Sequence, residues 1–170
     1  MHNIWVRLNA VIFFALTVLL CMAIMCAIST YLHTAKPVIK KLSMSTLKSL
    51  RNHGGVDRAI FKFDLHADLS PAFHWNLKQL FVFVVAEYES KLNPLNQVIV
   101  WDKIVKSPKE AILKYNKEMV KYALIDQGAE LRNNTITLKL MWDHMPVTGR
   151  LYNGVDGNHQ FQLPGTYVSE

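Results

Sequence analysis

The chain has 170 residues, a formal net charge of +6 and a hydrophobic fraction of 51%. Its two cysteines, Cys21 and Cys26, both lie in one apolar stretch, which excludes disulfides and cysteine-ligated metal sites from the rest of the chain. The sequence has no glycine-rich phosphate loop, no H-E-x-x-H and no G-x-S-x-G motif. Its lysines and arginines are dispersed, and this disfavours nucleic-acid binding.

The first predicted element is an apolar helix. Residues 10–28 form a run of 19 residues without a charge, and such a helix spans roughly 28 Å, close to the ~30 Å hydrocarbon core of a bilayer. The alternative is a cleaved secretory signal, whose apolar core usually has about 7–15 residues. The longer run, followed by bulky residues instead of a small-residue cleavage site, favours a retained signal anchor.

The orientation of this anchor is left open by the charges. Arg7 precedes the apolar run, whereas Lys36, Lys40 and Lys41 follow it, and the positive-inside tendency would therefore place the carboxyl-terminal side in the cytoplasm. A long domain behind an anchor can, however, translocate regardless of charge. The sequon Asn133-Asn134-Thr135 also favours the opposite orientation.

Residues 34–57 follow the anchor and are basic and polar. They predict a juxtamembrane stalk with a short helix around residues 44–50, ending at Gly54-Gly55. The lysines of this stalk are suited to contact anionic head groups, and a solvated linker explains them equally well.

The remaining chain predicts short strands separated by turns. Residues 59–69 alternate apolar and polar side chains, and residues 80–86, which include Phe81 and Phe83 as expected core residues, are continuously apolar, as in a strand covered on both faces. Further strands are predicted at residues 97–105, 121–125 and 135–142, and a helix at residues 111–120 after Ser107-Pro108. This pattern is typical of a β-sandwich.

Two groups of residues are candidates for chemistry. Asp64, His66 and Asp68 share one face of the strand at residues 59–69, with His74 nearby, and they suit either a metal or acid/base site or a polar strand face, of which we favour the second. Ser43-Met44 near the anchor resembles the nucleophile position of membrane-bound signal peptidases. It lacks the proline that follows in those enzymes and any fixed base, so we interpret it as non-catalytic.

Three tryptophans, Trp75, Trp101 and Trp142, recur at strand-associated positions. They are expected either as core or rim anchors or as part of a partner surface, because aromatic residues dominate both settings. The sequence pattern does not choose between these alternatives.

Several stretches together resemble the signal peptidase complex subunit 3 family. They are FDLHADLSPAFHWNLKQLFVFVVAEY at residues 63–88, NQVIVWDKIV at 96–105, NNTITLKLMWDHMPVTGRL at 133–151 and WVRLNAVIFFALTVL near the start. The resemblance implies a single N-terminal transmembrane α-helix followed by an all-β, sandwich-like lumenal domain with at most one short helix. The implied organisation is a cytoplasmic tail at residues 1–9, an anchor at 10–32, a stalk at 33–57 and the lumenal domain at 58–170.

The resemblance also implies a function. Members are accessory, non-proteolytic subunits of the endoplasmic reticulum complex that removes signal peptides, and they support a separate catalytic serine protease subunit. The implied partners are that subunit, the other small subunits, membrane lipid and the translocon, with no nucleic acid, no cofactor, no metal and no catalytic residue. Asn133 occupies the family's sequon position, which implies a lumenal, glycosylated domain. The alternative is a membrane-anchored hydrolase that uses Ser43 or the face of Asp64, His66 and Asp68.

Overall fold

The computed structural model of the protein describes residues 3–33, 35–91 and 93–169. It begins with helix α1 (Ile4–Ser29), whose first turn is capped by the Asn3 side chain accepting a hydrogen bond from the Trp5 amide. A 3-10 turn at Thr30–Leu32 follows directly. The 26-residue helix is apolar on all sides and has no buried residue. By length and composition it is able to cross a membrane, as predicted for this part of the chain.

The rest of the described chain folds into two antiparallel sheets. The first sheet has the strand order β5-β2-β1-β9, with β6 also paired to β2, and the second has the order β4-β3-β7-β8. This confirms the predicted fold class of one apolar helix followed by an all-β domain. The strands are β1 (Val38–His53), β2 (Val56–Asp68), β3 (Leu77–Tyr88), β4 (Asn96–Val105), β5 (Ile112–Met119), β6 (Leu124–Asp126), β7 (Thr135–Pro146), β8 (Tyr152–Gln162) and β9 (Val168–Ser169).

The core lies between the two sheets. Strand β2 buries every second residue, as its alternation predicts, and among these Phe61, Phe63 and Leu65 are fully buried. The Phe63 ring meets the Trp101 ring of the second sheet edge to face, with 5.9 Å between the centroids. Aromatic pairs of this geometry stabilise a core beyond the area that they bury.

The predicted stalk and its short helix are wrong. Residues 38–53 form strand β1, which pairs with β2 along its whole length, from Val38 opposite Asp68 to His53 opposite Val56. The tight turn between them uses Gly54 and Gly55 at positive φ. Register shifts after Ile39, Met44 and Leu47 interrupt the period-two pattern. Because of these bulges, the apolar residues of β1 do not alternate in the sequence.

The helix predicted at residues 111–120 is also wrong. The Ser107-Pro108 signal starts only a 3-10 turn at Pro108–Ala111, and β5 follows as an edge strand of the first sheet. The strand is mostly exposed and buries Leu113 alone, so its apolar spacing in the sequence is irregular. The strand predicted at residues 121–125 is shorter than expected and corresponds to β6.

Strand β8 lies in the tail, where the sequence shows only turn signals. One of those glycines is required by packing: a Cβ atom at Gly154 would overlap the indole ring of Trp142, which is opposite it on β7. A glycine inside a strand often marks such a close approach. Gly154 therefore lies inside a strand, although the sequence indicated a turn at this position.

One end of the sandwich adjoins α1 and is called the helix-proximal end; the opposite end is called the far end. The helix-proximal end consists of the loop at residues 69–76 and the β7–β8 loop at residues 147–151, both of which contact the end of α1. Strand β7 runs from the far end to the helix-proximal end, a distance of roughly 35 Å at about 3.3 Å per residue.

Candidate functional site

Three hydrogen bonds attach the helix-proximal end to the helix. The Trp75 indole N–H donates to Ser29 Oγ at 3.1 Å, and Thr148 Oγ1 donates to the Ala23 carbonyl at 3.1 Å. His33, just after the helix, places Nε2 2.8 Å from the Pro71 carbonyl. The helix is therefore fixed to two separate loops of the sandwich.

A cluster of rings fills the space beside these contacts. The centroids of His33 and His74 are 5.1 Å apart, His74 Nε2 lies 2.9 Å from the Tyr152 hydroxyl, and the His144 ring stacks on Tyr152 at 4.1 Å. Burial lowers the pKa of His74 and of His144, and the charge of a protonated His33 acts in the same direction. Both imidazoles are thus held neutral at pH 7.

Asn76 fixes the β7–β8 loop against this cluster. Its buried side chain donates to the Thr148 carbonyl at 2.7 Å and accepts from the Thr148 amide at 3.0 Å, while its own carbonyl accepts from the Val147 amide at 2.7 Å. A cavity of about 280 Å³ remains between the helix end and this loop. Its lining includes Tyr31 and Arg150, and none of the described residues that line it is a carboxylate.

The chemistry of this junction is that of a rigid attachment. It consists of hydrogen bonds and stacked rings that join the helix to two loops, and within it His74 is bonded to the Tyr152 hydroxyl. Within residues 3–33, 35–91 and 93–169, no group of three or more His, Cys, Asp or Glu side chains has the arrangement of a metal site. What the junction determines is the position of the sandwich relative to α1.

The face of Asp64, His66 and Asp68 lies on the outer side of the first sheet. Asp64 accepts from Lys41 Nζ at 2.6 Å and from the Lys117 amide at 2.8 Å, and these hydrogen bonds, that of Lys41 first, lower the pKa of its carboxyl. His66 Nε2 lies 2.8 Å from Asn116 Oδ1.

Asp68 has a third, separate set of partners. It accepts from the Ser70 amide at 3.0 Å and from Ser70 Oγ at 2.5 Å, and these bonds lower the pKa of its carboxyl. His74 is at the helix-proximal end, in the ring cluster described above. The structure therefore does not bring the sequence candidates together; each is bonded to its own neighbour, which is the arrangement of a polar strand face.

Ser43 lies on β1 directly opposite Asp64, so it is part of a sheet and not of a flexible stalk. Opposed residues of an antiparallel pair face the same side, here the outer side. The Asp64 carboxylate is already engaged by Lys41 and the Lys117 amide.

Asn133 lies at the far end of the sandwich, in an exposed turn. Its backbone has a φ of 56°, a conformation that asparagine tolerates better than most residues. Gln162 Nε2 donates to Asn133 Oδ1 at 3.0 Å and orients the side chain. The sequon is therefore accessible and is far from the helix.

The three tryptophans have different environments. Trp101 and Trp142 are buried in the core, whereas Trp75 is 64% exposed at the helix-proximal end. Trp142 Nε1 is the one buried side-chain nitrogen or oxygen of the described residues that has no hydrogen-bond partner. Core packing accounts for Trp101 and Trp142, and attachment to the helix accounts for Trp75.

Phe81 and Phe83 are not core residues, in contrast to the prediction. The inner side of β3 is formed by its alternate residues Val82 and Val84, and the two phenylalanine rings stack on the outer side with 5.2 Å between centroids. Both are only partly buried. Their cross-strand neighbours on β4 and β7 include Ile104 and Met141.

We call this surface the outer apolar face of the second sheet. It extends across all four strands through Ile99, Ile104, Phe81, Phe83, Met141 and Val155. Ile99, Ile104 and Val155 are 41%, 47% and 56% exposed. The ion pairs Lys139–Glu87 and Lys121–Asp102 also involve residues of this sheet. Asp143 and Asp102 lie directly opposite Phe81 and Phe83, so the apolar residues of this face are interspersed with carboxylates. Exposed aromatic and aliphatic side chains among charged groups are typical of a protein interaction site.

Comparison with known proteins identifies the family. The family model described as "Signal peptidase subunit" matches residues 1–166. The chain belongs to the signal peptidase subunit family. Among its relatives are proteins named "Signal peptidase complex subunit 3" from Dictyostelium discoideum, 32% identical over 100% of this chain and 99% of the relative, and from Drosophila melanogaster, 33% identical over 99% and 98%. A third, from Caenorhabditis elegans, is 36% identical over 89% and 87%. This confirms the resemblance seen in the sequence.

Two features of this chain were not predicted from its sequence. The ring cluster joins His33, His74, His144 and Tyr152, which are far apart in the chain and share no motif. The outer apolar face was concealed because a continuously apolar strand does not reveal which side is covered.

Proposed function

We propose that this chain is a non-catalytic, supporting subunit of the endoplasmic reticulum signal peptidase complex, in which a separate subunit carries the catalytic serine. The observation that carries the proposal is the family match over residues 1–166. The separate hydrogen bonds of Asp64, His66 and Asp68 support the non-catalytic role, because they leave these groups without a common target.

The proposed topology follows from α1. The helix is a retained signal anchor, residues 1–9 are cytoplasmic, and the sandwich is lumenal. One feature supports this orientation: the sequon at Asn133 is exposed at the end of the sandwich farthest from the helix. The lumenal domain starts at β1, and no separate stalk of residues 33–57 is retained.

The outer apolar face of the second sheet is the proposed contact with the catalytic subunit. A sheet face that exposes stacked aromatic rings is stabilised when another protein covers it, and such anchors carry most of the binding energy of an interface. The alternating polar face of the first sheet offers no equivalent. The other small subunits, the translocon and membrane lipid are further proposed neighbours.

The catalytic role is tested in a reconstituted complex. The quadruple variant Ser43→Ala, Asp64→Ala, His66→Ala and Asp68→Ala removes every catalytic candidate of this chain. We expect cleavage of a secretory precursor to continue at the rate of the unsubstituted complex. If the variant complex assembled fully and had lost cleavage, this chain would be a hydrolase, which is the second candidate function.

The orientation is tested by protease digestion of intact microsomes. We expect the sandwich to be protected until detergent is added, and Asn133→Gln to abolish a glycosidase-sensitive mobility shift. Asn158→Gln, an exposed position outside any sequon, is the matched control and keeps the shift. Digestion of the sandwich without detergent would show that the orientation is reversed.

A further inference from the structure

The β7–β8 loop lies alongside the last two turns of α1. Thr148 donates its hydroxyl to the carbonyl of Ala23, six residues before the end of the helix at Ser29, which is roughly 9 Å along the axis. A Cβ at Gly149 would lie 3.3 Å from the Cβ of Ala27, and Gly149 has a φ of 105°. Small residues on both sides allow the loop and helix backbones to approach closely.

The depth of this contact follows from the helix sequence. Arg7 and Asn9 are the last strongly polar residues before the apolar run, and Ser29 and Thr30 are at its other end. A hydrocarbon core needs about 20 residues of helix, which corresponds to about residues 9–29 here. Ala23 and Ala27 are thus inside the carboxyl-terminal boundary of the apolar slab, and a loop bonded to Ala23 is at the level of the lipid.

The side chains of the loop suit that environment. Val147 and Leu151 are 69% and 64% exposed and flank Arg150. Arg150 is exposed and forms no ion pair within the described parts of the chain. Long cationic side chains beside apolar surface extend their charged ends toward the lipid head groups.

The surroundings of the loop continue the same pattern. Tyr31 and Trp75 are 73% and 64% exposed at the helix-proximal end. Tyr and Trp are the residues enriched where a membrane protein meets the head groups. The loop therefore extends a lipid-facing surface that begins on the helix.

We propose that residues 147–151 form a second membrane attachment, inserted into the phospholipid interface beside α1. Val147 and Leu151 enter the upper acyl-chain region, and the Arg150 guanidinium binds lipid phosphate. The inference rests on the proposed membrane span of α1. Its consequence is mechanical: a single spanning helix allows the attached sandwich to tilt relative to the membrane plane, whereas a helix and an inserted loop restrict this tilt and so fix the angle between the outer apolar face and the membrane.

The test places a fluorescent probe at single cysteines of the full chain in phospholipid nanodiscs. Cys21 and Cys26 are first replaced by Ala, and NBD is attached in turn to V147C and L151C. Leu19→Cys, in the middle of the helix and 62% exposed, is the membrane control. Ile125→Cys, on β6 near the far end and 47% exposed, is the aqueous control.

The probes are quenched either by spin-labelled lipids or by iodide in the water. We expect shallow spin labels to quench V147C and L151C at least threefold more than I125C, deep labels to quench L19C, and iodide to quench I125C. Equal behaviour of V147C, L151C and I125C, with L19C still quenched by lipid, would overturn the inference and leave the membrane span intact. Absence of quenching of the L19C probe by spin-labelled lipid would instead refute the membrane span of α1.

Protection of V147C and L151C from both quenchers would also overturn the inference, because it would show that protein covers the loop. A second measurement does not need a label on the loop. In the variant Val147→Ser and Leu151→Ser, we expect lower steady-state anisotropy of a probe at I125C, since the sandwich gains rotational freedom. Val168→Ser, on the exposed strand β9, is the matched control and leaves the anisotropy unchanged. Unchanged anisotropy in the loop variant would contradict the attachment.

Discussion

The outer faces of the two sheets differ in how their side chains are satisfied. On the first sheet, Asp64, His66 and Asp68 each bond to a neighbour of the same chain. On the second sheet, Phe81 and Phe83 stack on each other and remain partly exposed. A polar face that satisfies itself needs no partner, whereas an exposed aromatic face is unfavourable in water until it is covered. The titratable residues of the first sheet therefore already have their polar groups bonded, whereas the aromatic residues of the second sheet leave apolar area in contact with water.

The largest expected effect is a loss of stability when a side chain on the inner face of a sheet is truncated, compared with one on an outer face. Phe63→Ala removes a fully buried ring that contacts Trp101, and we expect a loss of about 3–5 kcal/mol in the free energy of unfolding. Phe83→Ala, on the outer face, is the control and should cost clearly less. Denaturant unfolding of the full chain in detergent measures both. Equal losses would show that the outer apolar face is in fact part of the core.

The next effect concerns partner binding, which we expect to depend on the outer face of the second sheet and not on that of the first. We expect the double variant Phe81→Ser and Phe83→Ser to reduce recovery of the catalytic subunit about tenfold or more, because aromatic anchors at an interface are worth roughly 2 kcal/mol or more each. The matched double variant Lys62→Ser and His66→Ser alters the outer face of the first sheet and should leave recovery unchanged. The measurement is quantitative co-purification from microsomes. Equal recovery of the two variants would remove the proposed distinction.

A smaller effect concerns the helix-proximal end and pH. The pKa values of His74 and His144 are lowered in the folded chain, so the unfolded chain binds more protons as the pH falls through about 6.5. Stability should therefore be greatest above this pH and decrease below it. The measurement is the denaturant midpoint between pH 7.5 and pH 5, and His144→Gln, which cannot be protonated, should flatten the curve. A midpoint that rises on acidification would contradict the assignment of neutral rings.

The smallest effect is expected on the polar face of the first sheet. Asp64→Asn removes a partly exposed ion pair with Lys41, and such pairs contribute about 1 kcal/mol or less at neutral pH. Because the pKa of Asp64 is lowered, its contribution is present at neutral pH and is lost as the pH falls below about 3.8. Unfolding and cleavage assays should therefore hardly change. A large loss of cleavage at unchanged stability would give this face a role in catalysis.

The accuracy of prediction along the chain follows the regularity of the side-chain pattern. Strands β2, β3, β4 and β7 were located because their apolar residues either alternate or run continuously. Strands β1, β5, β8 and the two-residue β9 were missed. In β1, bulges interrupt the alternation of apolar and polar residues. In β5, an edge strand, most side chains are exposed and no alternation develops. In β8, Gly154, which is required by the packing of Trp142, suggested a turn.

The apolar helix, most of the core strands and the family can be read from the amino-acid sequence, because each depends on a local pattern or on a specific run of residues. The folded structure was needed to show that Phe81 and Phe83 face outward, that Ser43 lies in a sheet and that the β7–β8 loop contacts Ala23. Alternation shows that a strand has two faces, and a loop signal shows that the chain turns. Neither tells what covers the face or what the turn touches, since both depend on residues that are distant in the chain.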